Sequence, residues 1–480
     1  MEPIQNYING EFVEPISNEY IDVINPAIGE KYTVVANSNK KDIDKAVDAA
    51  QESFFKWSVL SLENRSDYLI QIANEIENNL DEFAYCETKD TGKPISLSKK
   101  MDIPRAIANF RFFAEFAKSF HFESEINDGK SSNVITKFPL GVVGCISPWN
   151  LPLYLFTWKI APAIISGNTV IAKPSEISPL TAYKLSQVLA KINFPRGVIN
   201  IVHGDGNRAG SEIVRHPKIK AVSFTGGTNT GTKIAQESAP TLKKLSLEMG
   251  GKNPAIIFDD CNYSNMLNTI INSSFSNQGQ ICLCSSRLLI HSSIYTKFKS
   301  DLIDSVSKLK IGDPNEIDTE FGAISSKEHY DKILNYIELA KKEGGNILIG
   351  GKPLNITGRC NNGYFVAPTV IDSLDNSSII NQDEIFGPVV TLQAFDSEDE
   401  AVNIANNIDY GLSATIWSND TEKSNRVASN INAGVIWINC WLVRDLRTPF
   451  GGMKQSGLGR EGGDYALDFF TETKNICRSL

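Results

Sequence analysis

The sequence predicts an α/β protein built on parallel sheets. Short runs rich in β-branched and apolar residues alternate with helical patterns over most of the chain. Many of these runs are apolar throughout rather than at every second position, as in Val142-Val143-Gly144-Cys145-Ile146 and Thr169-Val170-Ile171-Ala172. A strand of that kind is buried on both faces, the condition of a parallel sheet covered by helices. Length is the third observation. At 480 residues the chain exceeds what a single core organises, and about three folding units are expected.

The first forty residues alternate short apolar runs with turns, and Asn9-Gly10 is a hairpin signal. From residue 42 to about 111 apolar residues recur at three-to-four spacing, as in Asp67-Tyr68-Leu69-Ile70-Gln71-Ile72-Ala73, which predicts helices. Residues 119–137 are polar and weakly periodic. They form either a surface loop or an excursion that pairs with another subunit. A strand over 141–148 ends at Pro148. A helix over 154–166 is closed by Gly167-Asn168, and a strand over 169–172 comes next. Helix 179–192, strand 197–202, helix 209–214 and strand 220–224 continue the alternation. A second alternating block runs from 254 to about 439, with strands expected at 255–258, 287–290, 347–349, 389–395 and 435–438. The tail over 466–474 alternates like an edge strand.

Composition excludes several classes of function. Lys and Arg number 47 against 56 Asp and Glu, a net charge of −9, so no basic surplus attracts a nucleic-acid backbone. No run reaches the ~18 to 20 apolar residues of a membrane span. The opening residues carry neither the basic nor the apolar region of a secretory signal. Eight scattered cysteines form no C-x-x-C pair, which fits a reducing, cytoplasmic setting. The five histidines show no ligand spacing, so no metal site is expected.

Cys282 stands out among the thiols. It lies in Ser276-Asn277-Gln278-Gly279-Gln280-Ile281-Cys282-Leu283-Cys284, a polar turn running into an apolar strand. A nucleophilic thiol needs access and polar neighbours; the plain alternative is a small buried apolar residue. Glu248 interrupts an apolar run before Gly250-Gly251. It either faces solvent at a strand end or has a chemical task. Gly204-Asp205-Gly206-Asn207-Arg208-Ala209-Gly210 and Phe224-Thr225-Gly226-Gly227-Thr228 are Gly-rich strand-to-helix turns, the place where backbone N–H groups meet a phosphate. The literal G-x-G-x-x-G of Gly457–Gly462 is read as coincidence, because it comes after no expected strand.

Together these segments resemble the NAD(P)-dependent aldehyde dehydrogenase superfamily from about Tyr7 to Cys477. The matching blocks, in order, are Ser147-Pro148-Trp149-Asn150-Leu151-Pro152, Ile171-Ala172-Lys173-Pro174-Ser175-Glu176, Phe224-Thr225-Gly226-Gly227-Thr228, Leu247-Glu248-Met249-Gly250-Gly251-Lys252, Gly279-Gln280-Ile281-Cys282, Glu384-Ile385-Phe386-Gly387-Pro388 and Pro449-Phe450-Gly451-Gly452. The resemblance implies a Rossmann-like NAD domain (1–118 and 138–248), a second α/β catalytic domain (249–452) and a small β oligomerisation arm (119–137 and 453–480). It also implies a homodimer or homotetramer.

The resemblance assigns chemistry to matched positions. Cys282 would attack an aldehyde, and the Asn150 amide and the Cys282 N–H would hold the oxyanion. Hydride would pass to the nicotinamide, and Glu248 would activate the water that hydrolyses the thioester. Lys173 and Glu176 would hold the adenosine ribose, and the Glu176 carboxylate would favour NAD over NADP. Trp149, Thr225, Gly206, Gly210 and Gly227 would line the cofactor cleft, and Glu384 and Phe386 would place the nicotinamide and its ribose.

For the substrate, Arg444 lies where many relatives carry an aromatic residue, and Arg111 where a second cation would meet the entrance. Two arginines suit a carboxylate. With Trp158-Lys159-Ile160-Ala161 and Asn439-Cys440-Trp441 they resemble the muconic semialdehyde branch, whose substrates are 2-amino- and 2-hydroxymuconic semialdehydes. Betaine or aliphatic aldehydes are the nearest alternative. A CoA-acylating enzyme would not need Glu248, and a non-catalytic structural protein would not keep Cys282, Glu248 and Asn150.

Overall fold

The computed structural model describes residues 2–480. Two parallel sheets, each covered by helices on both faces, carry the architecture. The first has eight strands, in the order Glu11–Val13, Asn6–Ile8, Ile199–Ile201, Thr169–Lys173, Val142–Ile146, Ile219–Thr225, Lys244–Glu248 and Gly457–Leu458. The five from Ile199–Ile201 to Lys244–Glu248 run parallel. The parallel part of this sheet starts at Val142–Ile146, builds outward on one side to the N-terminal hairpin, then returns to build on the other. The switch of direction leaves a crevice at the carboxyl ends of Val142–Ile146 and its neighbours, where an open α/β sheet binds its ligand.

The second sheet has seven strands, in the order Asn346–Ile349, Thr369–Asp372, Val389–Phe395, Ser285–His291, Asn253–Ile257, Ser413–Trp417 and Val435–Ile438. All its pairs are parallel except the first. The third unit is a small antiparallel sheet of Thr471–Ser479, Ser131–Pro139 and Glu123–Asn127. It leaves Ile126, Phe138 and Ile476 exposed.

The structure corrects the expected boundaries of the arm. Residues 119–137 are no loop; most of them form the hairpin of that antiparallel sheet, which extends to Pro139. Of the tail, Thr471–Ser479 alone joins the arm. Gly457–Leu458 pairs with Lys244–Glu248 in the first sheet. Gly463–Phe469 is a helix, not the start of an edge strand. Ala466, Leu467 and Phe470 are buried in the core of the first unit, a helical three-to-four spacing that outweighs the apparent alternation. Two parallel strands are not evident from the sequence pattern, Thr369–Asp372 and Ser413–Trp417. Both are short.

The helix Pro152–Ile165 fills the space between the first sheet and its helical cover, and every one of its residues is buried, Lys159 included. Asn168 closes it. Asn168 Oδ1 accepts from the N–H of Leu140 (2.7 Å) and of Gly141 (3.1 Å), and Nδ2 donates to the carbonyls of Ala163 (3.1 Å) and Phe470 (2.8 Å). One buried amide therefore joins the entry to the central strand, the end of the buried helix and the C-terminal segment. Asn168→Ala orphans these buried groups, and a loss of about 2 to 4 kcal/mol is expected. A urea midpoint unchanged from the wild type would contradict this account.

Candidate active site

The nucleophile loop is held in a conformation few sequences adopt. Asn277, Gln278 and Gly279 have φ of 50°, 57° and 72°, three left-handed residues in succession. A Cβ on Gly279 would lie 2.1 Å from the Gly387 carbonyl oxygen, so the loop needs glycine here. Side-chain amides fix the backbone from Gln280 to Cys284. Asn253 Nδ2 donates to the carbonyls of Cys282 (2.7 Å) and Cys284 (2.9 Å). Asn150 Nδ2 donates to the Gln280 carbonyl (2.8 Å). The Cys282 N–H takes no partner among the described residues. An amide nitrogen carries two hydrogens, so Asn150 keeps one free beside it.

Three cavities succeed one another along the carboxyl ends of the first sheet. The first, of about 330 Å³, is lined by Lys173, Glu176, Gly206, Gly210, Thr225 and Gly227. Lys173 Nζ lies 3.1 Å from Glu176 Oε2. Gly227 precedes the helix Thr228–Ser238 and offers no side-chain cap, so the first N–H groups of that helix face the cleft. The second, of about 210 Å³, is lined by Trp149, Asn150, His329, Glu384, Phe386 and Cys282. The third, of about 30 Å³, is lined by residues that include Arg105, Tyr154, Glu248, Cys282, Arg444 and Phe450. Cys282 borders both the second and the third.

Protein surrounds the Cys282 thiol except where these cavities open onto it. Enclosure pushes its pKa up, the Glu384 and Glu248 carboxylates push it further, and Arg444 opposes them. Glu248 ends the strand Lys244–Glu248 and is buried. Neither carboxyl oxygen has a hydrogen-bond partner among the described residues. Burial raises its pKa well above the carboxylate range, and the charge of Glu461 adds to this; Lys159, Arg460 and Arg444 pull it down. A Cβ on Gly451 would sit 2.7 Å from Glu248 Oε1, which accounts for a glycine there.

Behind Glu248 lies a charged group that the sequence does not reveal. Glu461 Oε1 pairs with Lys159 Nζ at 2.8 Å, and its Oε2 accepts from Trp158 Nε1 at 2.8 Å. Ser223 Oγ bridges Lys159 (3.1 Å) and Glu461 (3.2 Å). Glu461 belongs to the G-x-G-x-x-G run, which lines none of the cofactor cleft. Its only signal is an acidic residue inside a glycine-rich turn.

In the second cavity, Glu384 Oε1 accepts from the Gly251 N–H at 2.9 Å, and a Cβ on Gly250 would lie 2.0 Å from Glu384 Oε2. The Gly250-Gly251 pair thus admits the Glu384 carboxylate. Phe386 has a left-handed φ of 61°. His329 Nε2 donates to its carbonyl at 2.7 Å, and Trp149 meets its ring edge-on at 5.4 Å. Burial lowers the His329 pKa to about 4, so the ring is neutral at pH 7. His329, too, carries no signal in the sequence.

The structure corrects one substrate-binding expectation. Arg111 lies on the outer face of the helix Ile103–Phe116, half exposed, and pairs with Glu77 at 2.5 Å. It lines none of the three cavities. The arginine that does is Arg105, on the same helix. Arg105 and Arg444 flank Tyr154. The Arg105 guanidinium lies 5.6 Å from the Tyr154 ring, and Arg444 Nη1 donates to the Tyr154 hydroxyl at 2.5 Å. The Arg444 guanidinium also stacks on Phe450 (4.2 Å) and Trp158 (4.5 Å). Its Nη2 is buried and has no hydrogen-bond partner among the described residues. No cluster of three or more His, Cys, Asp or Glu side chains able to hold a metal occurs among the described residues. None of their helices is long and apolar enough to cross a membrane.

A thiol, a buried and unpaired carboxylate and an open cleft at the carboxyl ends of a parallel sheet suit an enzyme that works through a covalent intermediate. The chain belongs to the aldehyde dehydrogenase family, whose profile matches residues 12–476. It is 48% identical over 478 residues to the 2-aminomuconic semialdehyde dehydrogenase of Homo sapiens, covering 98% of this chain and 97% of that one. It is 41% identical to the 2-hydroxymuconic semialdehyde dehydrogenase of Pseudomonas sp. (strain CF600), covering all of both. An aldehyde dehydrogenase from Bacillus cereus, solved as its NAD⁺ complex, superimposes with a TM-score of 0.96 at 37% identity, covering 100% of this chain and 97% of that one.

Because enclosure raises the Cys282 pKa, alkylation of this thiol without cofactor should be slow at neutral pH. It should accelerate only above the ~8.5 of a free cysteine. Mass spectrometry of the Cys282 peptide after timed iodoacetamide exposure measures this. A rate already at its plateau at pH 7 would contradict the enclosed thiol.

Proposed function

We propose that this enzyme oxidises a carboxylated semialdehyde, 2-aminomuconic or 2-hydroxymuconic 6-semialdehyde, to the dicarboxylate with NAD. One observation carries the substrate class. Arg105 and Arg444 face the thiol cavity, and neither forms an ion pair among the described residues. Both guanidinium groups are half-buried, donate only to neutral oxygens of Leu442 and Tyr154, and lack a counter-charge; a substrate carboxylate supplies it in bidentate form. An apolar aldehyde leaves both cations unpaired, and a cationic one is repelled. The names of the relatives fall in the same class.

The residues of the second and first cavities fit NAD. The uncapped N-terminus of Thr228–Ser238 suits the pyrophosphate. A Cβ on Gly227 would meet nothing within 4 Å, so this approach is open. Lys173 and Glu176 are placed to hold the adenosine ribose, with Glu384 and Phe386 at the nicotinamide end. The Glu176 carboxylate accepts ribose hydroxyls and repels a 2′-phosphate, which favours NAD over NADP. When bound, NAD supplies the hydride acceptor.

Every other step belongs to the chain. Cys282 gives up its proton to solvent, and the thiolate attacks the aldehyde carbon. The free Asn150 hydrogen and the Cys282 N–H hold the oxyanion of the thiohemiacetal. Loss of hydride leaves a thioester on Cys282. Glu248 then removes a proton from the attacking water; the nearby Glu461 charge raises its proton affinity and Lys159 opposes it. The arginines hold the remote carboxylate, so the aldehyde carbon is presented to sulfur. In this reading Thr471–Ser479 and Glu123–Asn127 offer edges to a second copy, giving a homodimer or homotetramer.

Arg444→Ala and Arg105→Ala should each lower kcat/KM for 2-hydroxymuconic semialdehyde by roughly ten- to a hundred-fold, about 1.5 to 3 kcal/mol for a lost charge-assisted pair. NADH formation from that compound, betaine aldehyde and hexanal, with NAD and NADP, measures the selectivity. Equal kcat/KM for hexanal in the wild type would overturn the carboxylate reading and leave a broad aldehyde dehydrogenase.

The pH dependence has a definite sign. Only deprotonated Glu248 accepts a proton from water, so thioester hydrolysis should rise as pH climbs through its raised pKa. The acid limb of the hydrolysis rate should therefore lie above the ~4.3 of an ordinary glutamate. It should disappear in Glu248→Gln. A limb at the ordinary value would refute the assignment.

A further inference from the structure

Beneath Asn150 lies a group of three buried charges that takes no part in the chemistry above. Lys93, Glu87 and Asp102 have fully buried side chains. Lys93 Nζ donates to Asp102 Oδ2 (2.6 Å), Glu87 Oε1 (3.2 Å) and the Asn150 carbonyl (3.0 Å). An ammonium has three donors, and all three are engaged. Glu87 also accepts from the N–H of Leu153, next to the start of the buried helix Pro152–Ile165. Asp102 immediately precedes the helix Ile103–Phe116, which carries Arg105. One ammonium thus joins the loop of the oxyanion donor to the helix of a substrate arginine.

Stability does not explain such a group. Burying three charges is costly, and apolar side chains of the same volume hold a core as well or better. Glu87 and Asp102 each leave one carboxyl oxygen unpartnered among the described residues. What the cluster secures is the backbone of Asn150. Asn277 Nδ2 reaches the same carbonyl at 3.1 Å and the Gln280 carbonyl at 3.3 Å. With its carbonyl held by Lys93 and Asn277, and one amide hydrogen spent on Gln280, Asn150 has a single hydrogen left and a single direction for it.

We propose that Lys93, anchored by Glu87 and Asp102, is a positioning residue that fixes Asn150 as the oxyanion donor beside Cys282. The proposal rests on the oxyanion role of Asn150 in the proposed function. It predicts that losing Lys93 slows formation of the thiohemiacetal and so the first hydride transfer, and that the loss runs through Asn150.

The test is a double-mutant cycle read on the first turnover. NADH formation is monitored by stopped flow with 2-hydroxymuconic semialdehyde and saturating NAD. The variants are Lys93→Met, Lys93→Arg, Asn150→Ala and Lys93→Met with Asn150→Ala. Lys93→Met should slow the first turnover roughly ten- to a hundred-fold, the scale of a displaced catalytic group, and Lys93→Arg should recover part of the loss. On the Asn150→Ala background, Lys93→Met should cost nothing further, because it acts through a group already removed. If Lys93→Met does not fold, Asp102→Asn carries the same cycle with nearly unchanged volume. Additive losses would overturn the proposal and return Lys93 to a general structural role. A first turnover unaffected by Asn150→Ala would overturn the oxyanion reading itself, a distinct result.

Discussion

The hydrogen bond that Asn150 Nδ2 donates to the Gln280 carbonyl joins the two parallel-sheet units at the nucleophile. Asn150 comes after a strand of the first sheet, and Gln280 precedes a strand of the second. The rest of the site is arranged about this contact. The residues proposed to hold NAD line the cavity at the carboxyl ends of the first sheet, where the strand order reverses. The thiol comes from the opposite side, on a loop whose left-handed turn leaves little freedom. A shift between the two units would break this bond and part the Asn150 amide from the sulfur, and reaction geometry tolerates little of that.

Much of this is legible in the sequence, for physical reasons that also mark its limits. Strands buried on both faces read as unbroken apolar runs, so Val389–Phe395 and Val435–Ile438 lie where the pattern puts them. Cys282 and Glu248 are visible because a reactive side chain among apolar neighbours needs backbone that bends around it. Gly279, Gly250 and Gly451 are the marks of that bending. The arginines show where the sequence falls short. Arg105 and Arg111 share a helix, and six positions at 100° each place them on different faces. Asn109, Phe110 and Phe113 are buried while Arg111 is not, and only packing of that helix against Leu62–Asn78 and Pro152–Ile165 fixes which face meets the cavity. Glu461 is hidden for the opposite reason. Its partner Lys159 lies far away along the chain, on a helix whose entire surface is buried.

Burial has opposite consequences for the charges around the thiol. It disfavours the ionised forms of Glu248 and Cys282, so each favours its protonated form. It also strengthens attraction between a guanidinium and a carboxylate, because less water screens them. Arg444 belongs to both effects. It lowers the pKa of both Glu248 and Cys282, and, like Arg105, it has no acidic partner among the described residues. A substrate carboxylate drawn to Arg444 would neutralise part of that influence. Binding would then raise the basicity of Glu248 at the stage when its proton affinity matters. In the proposed reading, carboxylate recognition and the proton affinity of Glu248 would meet at one side chain.

That coupling bears on why the remote end of the cavity is built from Arg444, Arg105 and Tyr154 rather than from apolar walls. Arginine stacked on Phe450 and Trp158 keeps an apolar contact surface while its edge stays available for a carboxylate. Tyr154 accepts from Arg444 and keeps its own hydroxyl hydrogen available. The wall therefore offers donors without acceptors. Lysine in place of Arg444 would preserve the charge, yet it could not stack in the same plane or present two parallel donors. The geometry of the guanidinium, and not its charge alone, fits this cavity to a planar, acidic aldehyde.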